Sequence, residues 1–102
     1  MATLYITEVQ SLGWVGPASN QLIHAPVMPP VAEQTVAIGS GSTPSAAFNA
    51  STRFIQVSTD EVCSIAFGAN PTATAANQRM AANEVRYFAV NPGNKLAVIQ
   101  NT

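Results

Sequence analysis

Apolar and β-branched residues fall in short runs of five to eight positions, separated by Gly, Pro, Asn and Asp. That rhythm predicts many short strands. Thr3 to Val9 opens the series, with Leu4 and Ile6 on one face and Tyr5, Thr7 and Val9 on the other. The alternation then dissolves. Between positions 10 and 30, Gly13, Gly16, Pro17, Pro26, Pro29 and Pro30 interrupt any regular element and predict an irregular arm or loop. This stretch carries Trp14, Leu22, Ile23, Val27 and Met28, too many apolar groups for a solvated linker. It either folds back over an open end of the core or lies on a neighbouring subunit.

Strands resume at Gln34 to Ile38, and the Gly- and Ser-rich run 39–44 reads as a turn. Ala46 to Ala50 is expected to be a strand with Phe48 inward. Thr52 to Thr59 follows, with Ile55 and Val57 sharing a face. Asp60-Glu61 then leads into Val62 to Phe67, where Cys63, Ile65 and Phe67 lie on one side. Two strands joined by so short a turn predict a hairpin. Residues 68–83, rich in Ala, Thr and Asn, show no clear apolar face and read as a loop or irregular edge. Glu84 to Val90 is a strand with Val85 and Tyr87 on one face, Phe88 and Val90 on the other. Asn91-Pro92-Gly93-Asn94 is a type I or II turn, and Lys95 to Gln100 is the last strand. Seven or eight short strands and no convincing helix predict a single all-β domain over 1–102. The expected architecture is an antiparallel β-sandwich, jelly roll or another Greek key, with an extended N-terminal arm or loop.

Composition changes the picture in one respect. Only 9% of the residues are charged and the net charge is −1, against roughly 25% charged in an ordinary soluble domain. A surface so poor in charge has little repulsion to keep copies apart, which favours an assembly component. Four scattered cations (Arg53, Arg79, Arg86 and Lys95) make no basic patch, so no nucleic-acid partner is expected. No apolar run is long enough to cross a membrane, and no basic-then-apolar leader opens the sequence. Synthesis in the cytoplasm, with no membrane partner, is the expectation.

Catalytic templates fail on counting, and no enzyme activity is expected. His24 and Asp60 are the sole His and Asp, and His24 lies in the Pro-rich stretch, where a triad would be poorly held. Asp60 and Glu61 are sequence neighbours on an extended chain and point apart, so they cannot flank one bond. Gly39-Ser40-Gly41-Ser42 lacks the Lys-Ser/Thr ending of a phosphate loop. A lone His and a lone Cys cannot furnish a four-ligand zinc site, so no metal or cofactor is expected. Cys63, on an inward strand face, reads as a small buried hydrophobe. Asn49-Ala50-Ser51 matches a glycosylation acceptor, which requires a eukaryotic secretory route.

The aromatics carry more information. Adjacent strand residues alternate, so Tyr87 and Phe88 cannot both face the core. Either the second face is covered within the chain, or an outward ring anchors a protein interface. Tyr5, Trp14, Ile23, Val27, Met28 and Phe88 are the candidate interface residues.

The strings Val36-Ala37-Ile38-Gly39-Ser40-Gly41-Ser42, Phe48-Asn49-Ala50-Ser51-Thr52-Arg53-Phe54-Ile55 and Cys63 to Thr74 resemble short proteins of tailed bacteriophages and prophages. So do Met80-Ala81-Ala82-Asn83-Glu84 and the segment Tyr87 to Val90 with Gly93. The resemblance is to the capsid cement, or decoration, class, several of which are small β-sandwiches on the outside of the shell. It implies a virion protein on the capsid surface, whose partners are the major capsid protein and copies of itself as dimer or trimer. It supplies no catalytic residues, and positions 10–30 lie outside it. A place in the tail, head–tail junction or spike is the alternative. A carbohydrate-binding module, with Trp14 or Tyr87 stacking on a sugar ring, is a further one.

Overall fold

The computed structural model describes residues 2–15, 21–26 and 29–101, giving for 12–15 and 21–26 the course of the backbone. Ten strands follow one another: β1 (Thr3–Val9), β2 (Leu12–Val15), β3 (Gln21–Pro26), β4 (Ala32–Ala37), β5 (Thr43–Pro44), β6 (Phe54–Thr59), β7 (Cys63–Gly68), β8 (Gln78–Met80), β9 (Val85–Ala89) and β10 (Lys95–Gln100). Among the described residues there is no helix. Eight strands form two antiparallel four-stranded sheets, in the orders β4-β1-β6-β9 and β5-β10-β7-β8. The fold is an all-β sandwich, as the strand rhythm predicts.

The core fills the space between the sheets. Leu4 and Ile6 of β1, Val36 of β4, and Ile55 and Val57 of β6 meet Cys63 and Ile65 of β7, Met80 of β8, and Leu96 and Val98 of β10. Each set occupies alternate positions of its strand, which is how a pleated sheet sends one face inward. Phe48 and Ile38 complete the cluster.

Pairing shows how the chain winds. β7 pairs with β8, β6 with β9, β5 with β10 and β4 with β1, all antiparallel. The first three pairs nest one inside the next in sequence order, whereas β4 pairs outside that nest, with β1 from the N-terminal end of the sequence.

Four expectations are corrected. First, positions 12–15 and 21–26 are not irregular: β2 and β3 pair with each other as a separate two-stranded sheet inserted between β1 and β4. Gly13 is tolerated because the register shifts between Leu12 and Trp14, and Pro26 closes its strand. Second, β6 and β7 do not form a hairpin, since they belong to different sheets. Both flanks of β6 are taken by β1 and β9. The Asp60 N–H bonds Thr3 O at 3.2 Å, and the Thr59 hydroxyl accepts the Glu61 N–H at 3.2 Å, carrying the chain across to the second sheet.

Third, Ala46 to Ala50 is not a strand, although Phe48 is buried as expected. Side chains replace ladder partners there: the Ala46 N–H bonds Gln34 Oε1 at 2.9 Å and the Asn49 N–H bonds Glu8 Oε1 at 2.8 Å. Fourth, the stretch 68–83 contains β8, whose Met80 reaches the core. Three residues are too short a run for alternation to announce itself.

The turn at 91–94 is as expected. The Asn94 N–H bonds Asn91 O at 3.2 Å, and Gly93 takes φ 85°, the left-handed value that type II turns require at their third residue.

Candidate protein-interface face

The outer faces of the two sheets differ. On the β5-β10-β7-β8 sheet, Ser64 and Ala97 point away from the core, yet both are fully buried. The connection between β7 and β8 covers them. Ala73 in that connection is itself buried, and its N–H bonds Ser42 Oγ at 2.9 Å. Asn101 Nδ2 reaches Ser64 Oγ at 2.6 Å and Ala75 O at 3.4 Å, fastening the cover at its other side.

The β4-β1-β6-β9 sheet leaves its outer face open around Tyr5, Val85 and Tyr87, although Val9, in the same outward phase, is buried. Its register sets Thr35, Tyr5, Ser58 and Val85 in one row across the strands, and Glu33, Thr7, Gln56 and Tyr87 in the next. Tyr5 is 44% exposed, Val85 49% and Tyr87 54%. The Tyr87 ring leans on Phe54 at 6.5 Å between centroids. Glu33 is the one charged side chain in these rows. An open face of threonine, tyrosine, valine and glutamine with a single charge has the composition of an interface core, where charge is depleted and tyrosine enriched.

The sequence-predicted residues fall differently. Tyr5 stands near the middle of the open face. Phe88 faces inward and is partly buried against the core, its ring 5.0 Å from Phe67 across the sandwich. Tyr87 therefore supplies the outward ring of the pair. Trp14 lies in β2 and Ile23 in β3, so the structure gives only their backbone course; Val27 and Met28 lie outside the described residues. His24 also belongs to β3.

Glu8 was not singled out by the sequence reading. Although charged, it shares the inward phase of Leu4 and Ile6 and is 2% exposed. Its carboxylate accepts bonds from Thr52 Oγ1 and the Asn49 N–H, both at 2.8 Å, and from Gln34 Nε2 at 3.0 Å. It ties the crossing segment between β5 and β6 to β1. A carboxylate in the apolar phase of a strand was the available signal.

Cys63 is buried in the core, and that burial pushes its thiol up from the ordinary value. The Thr59 hydroxyl, 3.6 Å away, pulls the other way, and the charge of Glu84 adds to the rise. A thiol that holds its proton more tightly when folded contributes stability that is fully present below its unfolded value, near 9.0, and is lost as pH rises through the folded one. The urea midpoint should therefore fall more steeply above that pH in the native chain than in Cys63→Ala. Equal slopes would remove Cys63 from the account. Among the described residues, no group of three or more His, Cys, Asp or Glu side chains is arranged to hold a metal.

No protein-family model, curated protein or solved structure matches this chain.

Proposed function

We propose that this protein is a structural, non-enzymatic virion subunit, a cement or decoration protein that binds the outer surface of a bacteriophage capsid. Its sandwich is then a jelly roll in which β1 takes the outermost place of the rolled ribbon. The supporting observation is the asymmetry of the two outer faces: one is covered by the chain's own β7–β8 connection, the other is open and almost free of charge. An open face of this kind suits a flat protein partner, here the major capsid protein.

Magnitudes bear on how such a subunit would hold. Four strands about 4.8 Å apart and about six residues long span roughly 19 by 20 Å, or ~380 Å². Stable interfaces bury about 800 Å² per partner. One face is thus too small alone, and repetition over a lattice supplies the remainder through avidity. The β2–β3 hairpin adds reach. A free two-stranded sheet is marginal in water, so this element, with Leu12, Trp14, Leu22 and Ile23 in its sequence, gains from lying on a partner.

The test is to mix the purified chain with expanded empty shells. Binding, with a higher shell melting temperature, is the expected result. Neither binding nor a melting shift would overturn the proposal. Binding confined to isolated tails would move the subunit to the tail.

A further inference from the structure

We propose that β9 is a dimerisation edge, on which a second copy of this chain adds its own β9 antiparallel across a two-fold axis, joining two four-stranded sheets into one of eight. The inference does not depend on the capsid reading.

Natural sheets guard their edges with short strands, proline, bulges or charged side chains, inward-pointing ones included. Of the four edges of the two four-stranded sheets, three carry a guard that nothing neutralises. β5 has two residues and contains Pro44. β8 has three and carries the exposed Arg79. β4 presents Glu33. β9 has five residues, Val85 to Ala89, an unbroken register against β6, no proline, and Val85, Tyr87 and Ala89 on its outer face. Its one cation, Arg86, points inward, where a charge can guard an edge, but Glu84 neutralises it in cis.

Backbone phase identifies the free groups. The Val90 N–H bonds Arg53 O at 3.0 Å, which fixes Val90, Phe88 and Arg86 as the positions whose amides turn toward β6. Val85, Tyr87 and Ala89 therefore turn their N–H and C=O groups to the open edge. Among the described residues, none of these three finds a partner strand beyond β6.

The register follows. With the axis through Tyr87, each Val85 faces the partner's Ala89, and all three free residues on each side pair. Sliding by one pair would in one direction set Arg86 against its own copy, which like charge opposes, and in the other leave Val85 facing Asn91, in the turn beyond the strand. A further slide would draw in Asn83, whose φ of 63° breaks the extended chain. In the chosen register Arg86 lies opposite the partner's Phe88, a ring that can receive a cation. An isologous contact must be self-complementary, and an outer row of Val85, Tyr87 and Ala89 meets its copy with no charge on either side.

Sedimentation of the isolated chain from micromolar to millimolar concentration is expected to show a monomer–dimer equilibrium. Tyr87→Pro removes an edge N–H that β6 does not use, so it should abolish the dimer while the circular dichroism of the sandwich persists. Under oxidation, Tyr87→Cys should give a covalent dimer, because residues directly opposite in such a pair lie about 5.5 Å apart at Cα. Thr35→Cys, on the opposite edge strand β4, should not. A native chain that stays monomeric at millimolar concentration overturns the proposal. So does a mixed Tyr87→Cys/Thr35→Cys cross-link, which would mean head-to-tail pairing of β9 with β4. Because shells take no part, failure here leaves the capsid reading standing.

Discussion

Glu8→Ala is expected to destabilise the isolated protein by about 3 kcal/mol, lowering the melting temperature by roughly 12–24 °C for a domain of this size. The physical reason is the set of donors left behind. Thr52 Oγ1, the Asn49 N–H and Gln34 Nε2 all point at one buried carboxylate, and alanine removes the acceptor they share. A donor stripped of its partner costs more than the bond it made, about 1–3 kcal/mol for each buried group. The three costs do not sum fully, because Asn49 is near the surface and water can reach its amide. Glu8→Gln keeps the shape but replaces one accepting oxygen with a donating NH₂, so it should fall between native and alanine. Thermal melts at pH 7 decide the matter. A loss below about 0.5 kcal/mol, typical of an ordinary surface position, would mean that the network is not what holds the crossing segment.

Tyr5→Glu with Gln56→Glu is expected to eliminate binding to shells while leaving the isolated protein's melting temperature nearly unchanged. Both side chains lie on the open face, on adjacent strands in neighbouring rows. Neither belongs to the core cluster. Two carboxylates seated there would have to be stripped of water in the contact without a paired cation, and each such burial costs several kcal/mol. Binding should weaken by at least a hundredfold, which corresponds to roughly 2.8 kcal/mol. The control is Ala76→Glu, at an exposed position in the cover over the other sheet, which should bind like the native chain. Loss of binding in the control and retention in the double variant would move the contact to that covered sheet.

The legible part of this fold was the part written in alternation. β1 and β6 follow from residues two apart, such as Ile55 and Val57, and their inward sets meet in the core, while Phe88 of β9 packs at its margin. Partnership was less legible. Asp60-Glu61 has the brevity of a hairpin turn, but whether the strands on either side pair depends on which edges are already occupied. Here β1 and β9 hold both flanks of β6. The β2–β3 pair was hidden by Gly and Pro, which weaken a strand on average but not at a register shift or a strand end. Val9 shows a related limit. It shares the outward phase of Tyr5 and Thr7, yet it is fully buried outside the core cluster, because alternation names a face without saying what covers it.

The candidate face was half legible. Tyr5 could be chosen from the sequence, and Tyr87 emerged with Phe88 as a pair that must split. Which ring turned outward required the register against β6. Glu8 was missed because an acidic residue in a strand is ordinarily assigned to solvent. Its three donors come from segments that lie far from it in the chain.

The near absence of charge from the open face has a bearing on the conditions under which anything could be detached from it. Ionic strength acts by screening, and a contact made of methyl groups, rings and amides offers almost nothing to screen. Excluded salts such as sulfate would tighten it, while cooling would slacken it. A subunit attached in this way stays put in brine and in fresh water alike, and is loosened by cold or by urea.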